Sequence, residues 1–156
     1  ALIEIYFPRT VQLIALGSNA LAYIELYAVL EFFLLSFLPE KLAKHDSAHR
    51  IIGKQIERKN LPELAEAARE LGLWTADDFA FIKRLARIRN ALAHRNYDLL
   101  HKALGSPSLD SFEFSEERDK RIERRGASSD LATALRLIIK FTRHKRKKEG
   151  ENGVGD

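Results

Sequence analysis

The sequence predicts an all-α protein, folded as a helical bundle of four to five main helices. Two observations favour this fold class. Apolar residues recur at three- and four-residue steps in several segments, as on the buried side of a helix, and helix start and stop signals separate those segments. Strand-like alternation is absent except at residues 2–7. The length of 156 residues suits one domain with a real core. We expect that domain at residues 1–148 and a disordered tail at 149–156.

The N-terminal part is expected to hold an extended or loosely tied lead-in and then a very apolar helix. Residues 1–10 combine a short apolar run with Pro8, which disfavours a helix just before it. Residues 20–38 are long enough to span a membrane. However, Glu25 and Glu31 lie inside that segment, and each would cost about 2.5 to 3.5 kcal/mol near a bilayer centre. We therefore expect a core or dimer-interface helix and no membrane partner. The two glutamates would make polar contacts there, or one of them would support a functional site.

Helix signals also order the middle of the chain. A second helix is expected to begin at Pro39 and to cover residues 39–59. Asn60 can cap a third helix, because a proline lies in the first turn and an acid stands three residues after the cap. Gly72 is well placed to end that helix, and Trp74 is expected at the junction with the next one.

The C-terminal part is predicted to end in an amphipathic helix. Residues 115–125 contain one apolar residue, so a solvated helix or a mobile loop is expected there. Ser129 or Asp130 would then cap a final helix with an apolar side formed by Leu131, Leu135, Ile138 and Phe141. The basic run that follows is expected to be a solvated tail or a contact to RNA.

The most informative stretch is residues 75–97. Thr75 can cap a helix there, and acids in its first turn suit the positive helix end. A buried stripe is predicted from Phe79, Ile82, Leu85, Ile88 and Leu92. A second set recurs at steps of four, three, four and three on another side, and we call it the polar row: Lys83, Arg87, Asn90, His94 and Tyr97. Because no acid occurs from Lys83 to Tyr97, this side suggests an anion site.

Within that helix, Arg89-Asn90-Ala91-Leu92-Ala93-His94 resembles the signature of the HEPN superfamily. Members carry Arg, four to six residues, and then His, often with a polar residue directly after the Arg. Arg89, Asn90 and His94 fit that pattern at its shortest spacing, with a hydrophobic context that is also similar. A looser match runs from Arg95 to His101, which makes His101 the fallback histidine. The resemblance covers about twenty residues; the rest of the chain agrees only in being helical and of suitable length.

The resemblance implies a metal-independent endoribonuclease, used as a toxin or a defence nuclease. His94 would move protons between the ribose 2′-hydroxyl and the leaving 5′-oxygen. Arg89 would hold the scissile phosphate, and Asn90 would orient His94 or bind the phosphate. RNA contacts are expected from Lys83, Arg87, Arg95 and Tyr97. Residues five apart on a straight helix point about 140° apart. The side chains of Arg89 and His94 can therefore reach one phosphate only if the helix ends near His94 or if a second subunit completes the site. The resemblance favours a homodimer that meets through this helix.

Two alternatives to catalysis stay open. One is a non-catalytic HEPN module that binds nucleotide, RNA or a protein, such as a nucleotidyltransferase antitoxin. In the branch of the family with that partner, a tyrosine stands two residues after the histidine, whereas Tyr97 stands three after His94. The other is a helical dimerisation adaptor without a ligand. If the two signature residues have no role in a site, Arg89 would be a surface ion-pair residue and His94 a cation near a helix C-terminus.

Composition narrows the remaining chemistry. The absence of cysteine excludes disulfides, thiolate metal sites and thiol nucleophiles, and fits a cytoplasmic location. The net charge of +4 is a mild bias towards polyanions. His45 and His49 imitate a two-histidine metal motif, but no third ligand is evident, so surface histidines are expected. No glycine-rich phosphate loop or serine-centred elbow occurs. We expect neither a cofactor nor a metal.

Overall fold

The computed structural model describes residues 2–43, 46–94 and 116–144, and the regular structure in those ranges is helical. The prediction of an all-α protein is confirmed. In chain order the helices are α1 (Leu2–Tyr6), α2 (Pro8–Ala15), α3 (Asn19–Leu42), α4 (Asp46–Ile56), α5 (Leu61–Glu70), α6 (Ala76–Ala93) and α7 (Glu116–Arg143).

The apolar helix α3 lies at the centre of the bundle. It packs against α2, α4, α5, α6 and α7. One side of α3 enters the core with fully buried leucines at 26, 30, 34 and 38. By length and composition α3 also qualifies as a membrane span, with a mean hydropathy of 1.8 over a window of which 39% is buried in the fold. The expected core helix is thus present, whereas the absence of a membrane partner stays a prediction.

Two expectations for the N-terminal third were wrong. The expected extended lead-in, or strand at residues 2–7, is the helix α1, and Phe7 after it is completely buried. Burial of the Phe7 ring offsets the conformational entropy lost when this segment becomes ordered. Pro8 stands in the first turn of α2, where a missing N–H costs little. The second helix does not begin at Pro39 either. Pro39 lies inside the last turns of α3, is buried there, and α4 begins at Asp46.

The C-terminal prediction also needs correction. A solvated helix or a mobile loop was expected before a separate helix capped by Ser129 or Asp130. The segment is helical from Glu116, but α7 runs without interruption from Glu116 to Arg143, so no new helix begins at Ser129 or Asp130. Asp130 is an interior residue of α7 with 7% exposure. One of its carboxylate oxygens accepts a 2.6 Å hydrogen bond from the Tyr23 hydroxyl, and the other accepts a 2.8 Å bond from Arg84. Because these donors on α3 and α6 satisfy the carboxylate, Asp130 can lie inside the helix and does not act as an N-cap.

The helix signals in the middle of the chain are confirmed. Asn60 and Thr75 each form a full capping box at the start of α5 and α6. Gly72 lies just beyond α5 with a φ of 73°, a conformation that glycine adopts without strain. Trp74 is buried at the junction, where its indole N–H donates to the main-chain oxygen of Leu137 at 3.0 Å. The start of α6 is therefore fixed both by its own cap and by α7.

Candidate functional site

The helix α6 presents the polar row to solvent. Its buried side includes Ile82, Leu85 and Ile88, with Phe79 and Leu92 partly buried, so the predicted stripe is confirmed. The four members of the polar row in the described part of the chain are all exposed: Lys83, Arg87, Asn90 and His94. Tyr97, Arg95 and the fallback His101 lie outside the described residues. The helix thus separates the core side and the predicted ligand side as its periodicity requires.

His94 stands at the C-terminal end of α6. The last helical residue is Ala93, and His94 is the C-cap, with a φ of −95° and a ψ of 5°. Its main-chain N–H donates to the carbonyl oxygen of Asn90 at 3.0 Å. The helix thus ends at His94, which is one of the two conditions under which Arg89 and His94 could reach the same phosphate. No hydrogen bond joins the exposed imidazole to another of the described residues.

Arg89 lies on the edge of α6 that faces α3. Its guanidinium carbon is 5.4 Å from the centre of the Tyr27 ring, a distance typical of a cation–π contact. One terminal nitrogen of Arg89 donates to the side-chain oxygen of Asn90 at 3.2 Å. Asn90 is therefore the link between the two signature residues: its side chain accepts from Arg89, and its main chain accepts from His94. That arrangement leaves the Asn90 amide N–H groups as donors on the exposed face.

Tyr27 and Glu31 form a polar cluster with Arg89. The sequence suggested Glu25 or Glu31 as support for a site but indicated no role for Tyr27. Both come from α3, one turn apart, and both are half-buried. Glu31 accepts a 3.2 Å hydrogen bond from the main-chain N–H of Leu61, the first residue of α5. Burial raises the pKa of the Tyr27 phenol, and the charge of Glu31 raises it further. A hydrogen bond from the Leu61 main chain and the charge of Arg89 act in the opposite direction.

A sequence signal for this cluster existed. Tyr27 and Glu31 are polar residues four apart in an otherwise apolar helix, which places both side chains on one side of α3. The expectation that a glutamate of this segment makes polar contacts is confirmed for Glu31. What the sequence lacked was the partner, because the pairing of α3 with α5 and α6 is a tertiary feature.

The charges along α6 favour anions. No Asp or Glu occurs between Phe79 and His94. Arg84 is committed to Asp130 inside the bundle. Lys83 lies over the ring of Phe79 at 4.8 Å, and Arg69 of α5 lies over the same ring at 5.2 Å. These contacts hold Lys83 of the polar row and one further cation, Arg69, next to each other, so the exposed side of α6 presents donors and positive charge.

Comparisons with family models, curated proteins and solved structures found no match. The HEPN resemblance therefore stays a prediction that rests on Arg89, Asn90, His94 and their surroundings. The expectation that His45 and His49 are surface histidines and not metal ligands also stays a prediction, because His45 lies outside the described residues, as does the side chain of His49. Within the described ranges, no group of three His, Cys, Asp or Glu could hold a metal ion.

Proposed function

We propose that this protein is a metal-independent endoribonuclease of the HEPN type, active as a cytoplasmic homodimer. The observation that carries the proposal is the placement of Arg89, Asn90 and His94 in the last turns of α6, in a stretch of that helix that contains no Asp or Glu after Phe79. An arginine, an amide and an imidazole there offer the donors and the titratable group that cleavage of a phosphodiester needs.

In the proposed reaction, the ribose 2′-hydroxyl loses its proton to His94 and its oxygen attacks phosphorus. The bond from phosphorus to the 5′-oxygen breaks, and that oxygen takes a proton from protonated imidazole. The products are a 2′,3′-cyclic phosphate and a 5′-hydroxyl end, and water later opens the cyclic ester to a 3′-phosphate. Arg89 stabilises the charge on the non-bridging oxygens during the attack. Asn90 keeps Arg89 and the end of α6 in register, while Lys83 and Arg87 attract the flanking phosphates.

A second copy of the chain is proposed as the partner that completes the site. Leu21, Ile24 and Phe32 of α3 are 56%, 41% and 72% exposed, and they share one side of the helix with the exposed Ala28. Large apolar side chains in such a stripe favour contact with another protein surface. Glu31 is three residues beyond Ala28, so the stripe borders the cluster that contacts Arg89. A dimer through α3 would bring a second α6 close to the first, as expected for paired motif helices.

The experiment is cleavage of a mixed-sequence RNA in EDTA by the wild type, His94→Ala and Arg89→Ala, with analysis of the fragment ends. Matched controls are His144→Ala and Arg58→Ala, which remove the same side chains from exposed positions outside α6. We expect cyclic or 3′-phosphate and 5′-hydroxyl ends from the wild type and both controls. The two α6 variants should lose at least ~100-fold in rate. Absence of wild-type cleavage would refute the proposal.

The second candidate function is a module that binds RNA, nucleotide or a protein such as a nucleotidyltransferase without cleaving RNA. One observation favours it: Lys83 and Arg87 are exposed on a side of α6 that carries no acid, and such a side can bind an anion without cleaving it. RNA binding that Arg89→Ala and Arg87→Ala weaken, without cleavage by the wild type, would support this candidate instead.

A further inference from the structure

The flexibility of the Arg89 side chain works against its proposed role in catalysis. It is exposed on α6, and a free arginine side chain samples many rotamers, whose restriction costs free energy when it binds phosphate. Its bond to Asn90 fixes only one nitrogen. A group that holds the plane of the guanidinium would lower the cost of placing the charge.

Tyr27 is placed to supply that hold. Its ring centre is 5.4 Å from the guanidinium carbon of Arg89. A cation over an aromatic ring is attracted through its face, so the in-plane N–H donors stay available for phosphate oxygens. We propose that Tyr27 is a positioning residue for Arg89, which holds the guanidinium flat and aimed at the scissile phosphate. This inference rests on the proposed ribonuclease function.

The support behind Tyr27 is itself fixed. Tyr27 belongs to α3, the central helix of the core. Glu31, one turn further on, is tied to the first residue of α5 through the Leu61 N–H. Burial and the charge of Glu31 raise the pKa of the phenol, so the ring stays neutral through the neutral pH range. A platform anchored to two helices can hold a flexible side chain, whereas an isolated surface tyrosine could not.

The test compares kcat/KM for RNA cleavage among the wild type, Tyr27→Phe and Tyr27→Leu, each with and without Arg89→Ala. Phenylalanine keeps the aromatic face, so Tyr27→Phe should stay within ~3-fold of the wild type. Leucine removes the face, so Tyr27→Leu should lose ~3- to 30-fold, mostly in kcat. In the Arg89→Ala background the leucine substitution should cause no further loss, because the residue it positions is gone.

A second measurement uses no Tyr27 variant, so it does not depend on whether such a variant folds. The side-chain Nε–H proton of Arg89, assigned by its loss in Arg89→Ala, should resonate upfield because the Tyr27 ring current shields it. An unshifted signal would overturn the inference. Equal losses from Tyr27→Leu with and without Arg89 would also overturn it, by showing a structural role only. If the wild type does not cleave RNA, the proposed function is refuted and the positioning role with it; if it cleaves and Tyr27→Leu matches it, the positioning role alone is refuted.

Discussion

Replacing Asp130 with alanine should strongly destabilise the bundle. Asp130 joins α7 to both α3 and α6, through a 2.6 Å bond from Tyr23 and a 2.8 Å bond from Arg84. Hydrogen bonds to a charged group contribute about 1.5–3 kcal/mol each to the free energy of unfolding. The alanine variant would also leave the Tyr23 hydroxyl buried, at 3% residue exposure, without this acceptor. Arg84 keeps 29% side-chain exposure, so water can solvate part of its charge.

Together these contributions predict a loss of about 3 kcal/mol in the free energy of unfolding. For a chain of this size that corresponds to a fall in Tm of roughly 6–12 °C. Urea unfolding followed by far-UV circular dichroism measures the change. Tyr23→Phe keeps the Arg84 pair and should cost about 1–2 kcal/mol. The matched control is Glu66→Ala on the exposed side of α5, which should change stability by less than about 0.5 kcal/mol. A loss below about 1 kcal/mol for Asp130→Ala would refute the reasoning.

Three further predictions concern pH and assembly. The pKa of Asp78 is lowered because hydrogen bonds from Lys140 and from Thr75 outweigh the opposing effect of burial. The stabilising contribution of the Asp78 carboxylate is thus complete above its ordinary pKa of 3.8 and is lost as the pH falls through the lowered value. The free energy of unfolding, measured from pH ~5 to ~2, should therefore fall less steeply with acid in Asp78→Asn than in the wild type. Burial, and then Asp130, raise the pKa of Tyr23, so stability should fall above pH ~10 in the wild type and fall less in Tyr23→Phe. Phe32→Glu should convert a dimer to a monomer in sedimentation velocity, whereas Ile51→Glu, at a 62% exposed position on α4, should not; a wild type that sediments only as a monomer would contradict the proposed assembly.

Local signals predicted much of the fold. The caps at Asn60 and Thr75, the glycine after α5 and the apolar stripe of α6 are local features, and each is present as expected. The predictions that were wrong depend on tertiary contacts. The isolated sequence of residues 1–10 gives no reason for a helix until Phe7 has a core to enter. Asp130 looks like a cap until Tyr23 and Arg84 come from distant parts of the chain to satisfy it.

The candidate site shows the same division. The positions of Lys83, Arg87, Asn90 and His94 on one exposed side follow from helical spacing alone. The contact of Arg89 with Tyr27 could not be predicted, because it depends on how α3 and α6 pack. Helical spacing showed instead that Arg89 and His94 point in different directions, and the structure adds that Asn90 bonds to both. Arg95, Tyr97 and His101 lie outside the described residues, so their assigned roles stay predictions.

The most direct test of the central claim is the end chemistry of RNA cut in the presence of EDTA. The account predicts 5′-hydroxyl ends and cyclic or 3′-phosphate ends from the wild type, and the loss of these products in His94→Ala but not in His144→Ala. Cleavage that persists in His94→Ala, or fragments with 5′-phosphate ends, would contradict the proposed use of His94 and the attack by the ribose 2′-hydroxyl.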